Sequence, residues 1–302
     1  MKMVVTGGAG FIGSRLVQTL LNLGSEVHVL DNLSTGSTIH PLATLHKVDI
    51  CHPQAREMIA ALKPDVVYHL AAQADVQRSI QEPDFDASVN VVGTLNLLEA
   101  CRRANVRKFI FASTSAVYGK LQKEKLVETD PTQPISYYGL SKITAEHYIR
   151  LYHDLYGLNY TILRYGNVYG PGQTAKGEGG VVAVFMDRIA RGMPLPINGD
   201  GEQTRDFIFV DDVAEANIAA IRFGDQGTFH VSTGSSASVN RVVDVLQDIH
   251  GSQVPVLYRE AKAGDIQDSC LDNSLAEAVL SWKPAISLEE GLLRTYQFRK
   301  PQ

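Results

Sequence analysis

The sequence predicts an α/β fold in which a doubly wound parallel sheet is accompanied by a smaller C-terminal α/β domain. Over the first 165 residues, short β-branched runs alternate with amphipathic helical stretches. The runs have the composition of strands that are buried on both faces, as expected for parallel strands joined by right-handed helical crossovers. In addition, a glycine-rich turn directly follows the first run. Together these observations predict one layered α/β unit at the start of the chain.

The predicted strands of this unit are Lys2–Thr6, Glu26–Leu30, Val66–His69, Lys108–Ala112 and Tyr160–Arg164. The predicted helices are Phe11–Leu23, Gln54–Leu62, Ser88–Ala104 and Tyr137–Leu155.

After Arg164 the alternation stops, and a Gly/Pro-rich stretch separates the two parts of the chain. Asp211 or Asp212 is the expected N-cap of a later helix, and Thr228–Val231 is expected to add a strand to the first sheet. The elements predicted here are the helices Val181–Arg191, Asp211–Arg222, Val239–Ile249, Ser274–Leu280 and Leu288–Phe298, and the extended run Thr204–Val210. We therefore expect one domain of residues 1–165 with return segments near 204–232, and a second of 166–203 and 233–302.

Composition excludes several classes of function. The 302 residues are 44% hydrophobic and carry a net charge of −5, which argues against a nucleic-acid binder. The longest apolar runs fall short of the ~20 residues of a membrane span, and the immediate first strand argues against a signal peptide. The three cysteines lack metal-type spacing and are expected to be buried thiols in a reducing compartment, which predicts a cytoplasmic protein without a metal site.

The turn after the first strand has the spacing of a phosphate-binding loop. Gly7 suits a tight turn, Gly10 lets the backbone approach a pyrophosphate, and Gly13 permits close packing of helix on strand. The helix N-terminus then presents N–H groups to the phosphates. Asp31 ends the second strand, where an acid binds the adenosine ribose and repels the 2′-phosphate of NADP. A Rossmann-type domain that prefers NAD is predicted.

A tyrosine and a lysine lie four residues apart near the start of a helix. The spacing places Tyr138 and Lys142 on one helix face. A lysine ammonium favours the phenolate and lowers the tyrosine pKa from its ordinary value of about 10. Ser113, Thr114 and Ser115 follow the fifth strand at the carboxyl edge of the sheet, where a hydroxyl can orient a substrate alcohol. These residues predict an oxidoreductase-type acid/base site.

Six segments in order resemble the extended short-chain dehydrogenase/reductase family. They are TGGAGFIGS (6–14), HLAA (69–72), ASTSAVYG (112–119), YYGLSK (137–142), RYGNVYGPGQ (164–173) and GDGEQTRDFIFVDDVA (199–214). The resemblance covers essentially the whole chain and lies in the NAD-dependent epimerase/dehydratase group, with bacterial UDP-glucose/UDP-galactose 4-epimerases the most similar. It implies NAD as cofactor and a UDP-sugar as substrate.

The resemblance also implies residue roles. Tyr138 is the acid/base, Lys142 its pKa partner, and Thr114 the hydroxyl that shares the substrate O4 proton. Tyr165 closes over the nicotinamide, Asn90 lines the NAD channel, and Asp49 and Ile50 flank the adenine. The remaining cofactor positions are Phe11, Ile12, Asn32, Leu70, Ala71, Ala72 and Ser113. The substrate positions are Thr114, Ser115, Asn167, Arg205, Lys262, Asp265 and Ser269. Lys262 departs from the arginine usual in the family, keeping the charge but losing the fork geometry.

The residues after Thr114 distinguish between reactions. Relatives that eliminate water or decarboxylate carry acidic residues there, whereas this chain has Ser115 and Ala116. A 4-epimerase needs only the tyrosine and NAD. A UDP-glucuronate 4-epimerase is the alternative, with Lys176 available for the carboxylate. A non-catalytic NAD-sensing protein on the same fold is the alternative of another class.

Two further expectations come from the resemblance. A homodimer is expected to form through helices around Ser88–Arg103 and Tyr138–Leu155. Ser269 occupies a position beside the sugar C2 substituent, where a small residue is expected to admit N-acetylated UDP-sugars. The predicted activity is therefore 4-epimerisation of UDP-glucose and UDP-galactose, with N-acetyl forms accepted.

Overall fold

A computed structural model describes residues 1–121, 123–175, 180–261 and 266–299. The strands are β1 Lys2–Thr6, β2 Glu26–Asp31, β3 Thr44–Lys47, β4 Val66–His69, β5 Lys108–Thr114, β6 Tyr160–Tyr165, β7 Asn167–Tyr169, β8 Leu195–Asn198, β9 Thr204–Arg205, β10 Phe207–Phe209, β11 Gly227–Val231, β12 Ala237–Ser238 and β13 Val256–Arg259. The α-helices are α1 Phe11–Asn22, α2 Pro53–Leu62, α3 Val76–Gln81, α4 Pro83–Ala87, α5 Gly93–Arg103, α6 Tyr137–Tyr156, α7 Val181–Ala190, α8 Val210–Ala219, α9 Val239–His250, α10 Ser274–Leu280 and α11 Leu288–Arg299.

The main sheet has seven parallel strands in the order β11-β6-β5-β4-β1-β2-β3. The predicted fold class and the added strand near 228–231 are both confirmed. The strand order reverses between β1 and β4, and ligands of doubly wound sheets bind in the crevice at such a point. The loops after β1, β4, β5 and β6 therefore surround the expected site.

Separate apolar cores cover the two faces of the sheet. On one face, Leu16 of α1 and Val213 of α8 pack against strand residues such as Val5. On the other face, α2, α5 and α6 contribute the buried side chains. A third core joins α7, α9 and α11 to the short strands β7, β8 and β10. Burial on both faces explains why the main strands are continuous apolar runs.

The predicted N-cap of the helix near residue 211 is wrong. Helix α8 begins at Val210, and its N-cap is Phe209 without a side-chain cap. Asp211 instead binds Arg15, and the Asp212 carboxylate accepts the N–H groups of Ala285 and Ile286 at 3.0 and 3.1 Å. These acids hold α8 to other parts of the chain and leave its first turn uncapped by side chains.

The predicted helix Ser88–Ala104 is not continuous. Residues Ser88–Val92 form one π-helical turn before α5, and α3 and α4 precede it. π-Helical turns are frequent at functional sites, and this one contains Asn90. Within the described residues, no helix combines the length and apolarity needed to span a membrane.

Candidate active site

The phosphate loop has the geometry expected of its glycines. Gly7 has φ +69°, and a Cβ there would lie 2.6 Å from the backbone nitrogen of Ala71. A Cβ on Gly13 would overlap the Gly7 carbonyl, so the first helix packs directly on the turn. At Gly10 the one neighbour of an added Cβ is the Gly7 oxygen at 3.2 Å. The backbone at Gly10 therefore faces open space, where a pyrophosphate fits.

The end of β2 provides polar groups suited to an adenosine. Asp31 accepts N–H bonds from Ala9 at 3.0 Å and from Leu33 at 2.8 Å, one on each carboxylate oxygen. Asn32 donates to Asp49 at 2.9 Å. Each oxygen of Asp31 keeps acceptor capacity for a ribose hydroxyl. These residues fit NAD, since a buried carboxylate here would oppose a 2′-phosphate.

The side chain of Asn90 is buried and hydrogen-bonded to protein groups. It is 2% exposed, and its Nδ2 donates to the Gln73 carbonyl at 2.8 Å and to Ser141 at 3.0 Å. Its Oδ1 accepts the Gln73 N–H at 2.9 Å. Asn90 therefore connects the segment after Leu70-Ala71-Ala72 to the helix that carries Lys142. Its place along the NAD channel stays a prediction.

A buried polar chain lies beneath this crevice. His69 bonds Thr6 at 2.8 Å and Thr94 at 2.9 Å. Burial, and secondarily the charge of Lys142, holds the pKa of His69 well below its ordinary value. His69 is therefore neutral and adds no positive charge beside Lys142. His69 belongs to the HLAA motif, but its hydrogen-bonding role could not be predicted, because Thr94 of α5 comes near it only in the tertiary structure.

Close packing brings the acid/base residues together. A Cβ on Gly139 would lie 2.6 Å from the Ala116 carbonyl oxygen, so the start of α6 packs directly on the 3₁₀ turn after β5. Tyr138 precedes this glycine and is half-buried. The Ala116 N–H donates to Thr114 Oγ1 at 3.1 Å, which leaves the Thr114 proton to be donated. The structure therefore unites the predicted Thr114 and Tyr138 at the end of β5.

Lys142 lies one turn further along α6. It is 3% exposed, its Nζ donates to the Ala112 carbonyl at 2.8 Å, and it stands 4.6 Å above the Phe111 ring. The spacing along the helix places the ammonium on the face that carries Tyr138. The predicted Tyr/Lys pair is therefore anchored to the strand that presents Thr114.

Tyr165, predicted to close over the nicotinamide, ends strand β6. It pairs with Thr114 in the sheet register, its ring is buried, and its hydroxyl accepts from Asn217 Nδ2 at 2.9 Å. Burial raises the pKa of Tyr165, and the neighbouring Tyr138 adds to the effect. Tyr165 therefore stays neutral near pH 7.

A buried ion pair holds α6 to the sheet. Glu146 accepts from Arg164 at 2.7 and 2.9 Å, from Ser113 at 2.6 Å and from Arg150 at 2.9 Å. Burial opposes ionisation of Glu146, but its bonds to Arg164 hold its pKa below the ordinary value. The Ser113 hydroxyl therefore points toward Glu146, and a contact of Ser113 with the cofactor stays a prediction. The sequence motifs did not single out Glu146, because its partners Ser113 and Arg164 lie near it only in the tertiary structure.

The predicted substrate residues converge from distant parts of the chain. The Asn167 N–H donates to the Asp206 carbonyl at 2.7 Å, beside Arg205. Arg205 Nη1 lies 3.3 Å from the Gln267 carbonyl, and Thr204 binds Asp268 at 2.8 Å. Half-buried Ser269 follows directly. Lys262 and Asp265, and Lys176 of the alternative, lie outside the described residues.

Comparison with known proteins shows the family to which this chain belongs. The family model of the NAD dependent epimerase/dehydratase family matches residues 3–232. A putative UDP-glucose 4-epimerase of Methanocaldococcus jannaschii is 42% identical, over 99% of this chain and 98% of that protein.

Two solved structures are also similar over nearly their whole length. The structure of UDP-glucose 4-epimerase with UDP-glucose from Thermotoga maritima has a TM-score of 0.96 at 42% identity, covering 99% of this chain and 98% of that one. The UDP-N-acetylglucosamine 4-epimerase of Methanobrevibacter ruminantium, in complex with UDP-N-acetylmuramic acid, has a TM-score of 0.94 at 36% identity, covering 98% and 97%. The chain belongs to the NAD dependent epimerase/dehydratase family, and its cofactor is NAD.

Proposed function

We propose that the protein catalyses the NAD-dependent 4-epimerisation of a UDP-hexose, UDP-glucose or UDP-galactose, through a transient 4-keto sugar. The observation that carries the proposal is the packing of Gly139 on Ala116, which gathers Thr114, Tyr138 and Lys142 beside the crevice. The similarity to UDP-glucose 4-epimerases over the whole chain supports the same conclusion.

The chain's own residues handle the proton of the reaction. Tyr138 as phenolate takes the O4 proton, while Lys142 stabilises the phenolate charge. Bound NAD⁺ supplies the chemistry of accepting the hydride from C4 and of giving it back. Thr114 donates a hydrogen bond that orients O4. After the 4-keto sugar turns over and presents the opposite face of C4, Tyr138 returns the proton to O4.

Elimination reactions are disfavoured by the residues at the turn after β5. Ser115 is half-buried and carries a hydroxyl, and Ala116 carries only a methyl group. The Ala116 N–H donates to Thr114, and its carbonyl packs against Gly139. Neither position provides a carboxylate for removing water or assisting decarboxylation. Epimerisation is the outcome that these side chains support.

A panel assay tests the activity. Purified protein is incubated with UDP-glucose, UDP-galactose, their N-acetyl forms or UDP-glucuronate, and the anomeric proton signals are followed by NMR. We expect interconversion of the two plain hexoses without added NAD, because the cofactor is regenerated in each cycle. Conversion of UDP-glucuronate alone would favour the uronate alternative. Bound NAD without any turnover would favour the non-catalytic alternative.

The proposal divides the chain between cofactor and substrate. Residues 1–165, with return segments near 204–232, form the NAD-binding domain, and 166–203 with 233–302 form the nucleotide-sugar-binding domain. Strand β11 extends the main sheet, which supports placing its segment in the first domain, and the third apolar core joins α7, α9 and α11 of the second domain. Strand β10 of the return segment also packs in this third core. Asn167 and Arg205, with Lys262 and Asp265, are assigned to the nucleotide diphosphate.

Ser269 is assigned to the sugar pocket. A half-buried serine leaves room for an acetamido group and offers it a hydroxyl. The M. ruminantium structure, a UDP-N-acetylglucosamine 4-epimerase, has 36% identity with this chain. The proposal therefore includes UDP-GlcNAc and UDP-GalNAc among the substrates.

The proposal includes a cytoplasmic homodimer. Val92, Leu140, Leu151 and Leu155 expose large apolar side chains on the π-helical turn and α6, the helices predicted to meet a second copy. Exposed apolar side chains of this kind suit a helical interface between subunits. Multi-angle light scattering is expected to give twice the mass of one chain. Buried thiols such as Cys101 suit a reducing compartment.

A further inference from the structure

Asp206 is a buried carboxylate that the proposed chemistry leaves without a role. It stands between β9 and β10 and is 1% exposed. Its Oδ1 accepts the N–H and the hydroxyl of Thr233 at 2.8 and 2.7 Å. Its Oδ2 accepts the N–H of Gly234 at 3.1 Å and that of Leu271 at 3.4 Å. One side chain therefore joins three segments that are distant in the sequence.

Two of these segments, those of Asp206 and Leu271, lie next to residues assigned to the nucleotide sugar. Arg205 directly precedes Asp206, whose carbonyl also accepts the Asn167 N–H at 2.7 Å. Ser269 lies two residues before Leu271, and Cys270 Sγ lies 3.9 Å from Asp206 Oδ2. A shift of Asp206 would therefore move the backbone beside all three substrate positions.

We propose that Asp206 is a positioning residue for the nucleotide-sugar site: its carboxylate holds the segment that carries Ser269 against Arg205, and its backbone carbonyl holds Asn167. This inference rests on the proposed function, because it takes those three residues as the substrate contacts. Asp206 itself touches protein groups only among the described residues, so it acts through them.

The chemistry of the contacts requires a carboxylate. Both oxygens accept hydrogen bonds from N–H groups that cannot reverse their direction. An asparagine has one carbonyl oxygen, which can keep the two bonds to Thr233. Its Nδ2 would then face the N–H groups of Gly234 and Leu271 and leave them unpaired. We expect the 270–271 segment to move away from Arg205 while the Rossmann domain keeps its structure.

The test compares Asp206→Asn with a matched control, Asp212→Asn. Asp212 is also a buried acid, 4% exposed, that accepts two backbone N–H groups, from Ala285 and Ile286. Those groups lie away from the assigned substrate residues in sequence. For each variant, KM and kcat with UDP-galactose, the Kd of UDP by calorimetry, the NAD content and the Tm are measured.

For Asp206→Asn we expect KM and the Kd of UDP to rise at least about tenfold, with kcat and NAD content within about twofold of wild type. For Asp212→Asn we expect a lower Tm with KM and Kd within about twofold of wild type. If Asp206→Asn lowers Tm but leaves KM and Kd as in Asp212→Asn, its role is structural and the inference is overturned.

If Asp206→Asn does not fold, Thr233→Val provides the test, since it removes the hydroxyl donor to Oδ1 together with the contacts of that hydroxyl to Ser235. We expect its KM and the Kd of UDP to rise at least about threefold, and unchanged values would overturn the inference. Failure of the proposed function gives a different result. Wild-type protein would then bind UDP without converting any UDP-sugar, and the Kd comparison would still decide the role of Asp206.

Discussion

Replacing Glu146 by glutamine tests how the catalytic helix is held to the sheet. The Glu146 side chain is 0% exposed and that of Arg164 is 4% exposed, with 2.7 Å between the charged groups. The variant keeps the size of the side chain but removes its charge, which leaves the guanidinium buried without a counter-ion. Breaking a buried pair in this way typically costs about 3–5 kcal/mol. We expect a loss of that size in the free energy of unfolding, and a lower kcat.

Urea unfolding of Glu146→Gln and of a control, Glu82→Gln, provides the measurement. Glu82 pairs with Arg78 at the surface, with side chains 48% and 44% exposed, and such pairs contribute at most about 0.5 kcal/mol. A loss below about 1 kcal/mol for Glu146→Gln would refute the reasoning, because it would place the pair in the range of surface contacts.

The same pair predicts a dependence on pH. The folded-state pKa of Glu146 is lowered, since its bonds to Arg164 outweigh burial. Its contribution is therefore fully present above the unfolded pKa of about 4.3 and is lost as the pH falls through the folded pKa. In Glu146→Gln this part of the acid sensitivity should be missing.

Three further substitutions test individual roles. Tyr138→Phe should reduce turnover at least about 10²-fold while NAD stays bound, because only the ionisable hydroxyl is lost, and near-normal kcat would rule out Tyr138 as the acid/base. Asp31→Ala should weaken NAD binding and relax the rejection of NADP, measured by calorimetry; equal affinity of the wild type for both cofactors would show that Asp31 does not select NAD. Ser269→Tyr should abolish activity on UDP-GlcNAc and spare UDP-glucose in the NMR assay, because the ring excludes the acetamido group. A wild type that ignores the N-acetyl sugars would contradict the assignment of Ser269.

The main sheet could be predicted because its strands carry their own signal. Runs such as Val66–His69 are buried on both faces, and their bounds match the prediction. The strands β9 and β12 have two residues each, and their pairing joins Arg205 to Ala237 across a long stretch of sequence. A local pattern of two residues carries no such information, so β12 was missed, and β9 was predicted only as part of the extended run Thr204–Val210.

The candidate site was predictable where one motif supplies the geometry. The glycines of the phosphate loop and the Tyr138/Lys142 spacing depend on local structure, and the structure agrees with both. The hydrogen-bond partners of Asn90 and Ser113 could not be predicted, because only the tertiary structure brings those protein groups near. Asp206 is the clearest case, because its partners come from separate segments.

The fate of the hydrogen at C4 tests the central claim most directly. UDP-galactose carrying deuterium at C4 is incubated with the protein in ordinary water, and the UDP-glucose formed is analysed by NMR and mass spectrometry. Since the hydride leaves C4 and returns to the same carbon while Tyr138 moves only the O4 proton, we predict UDP-glucose that retains the deuterium at C4. Loss of the deuterium to solvent, or its absence from C4 of the product, would contradict the account.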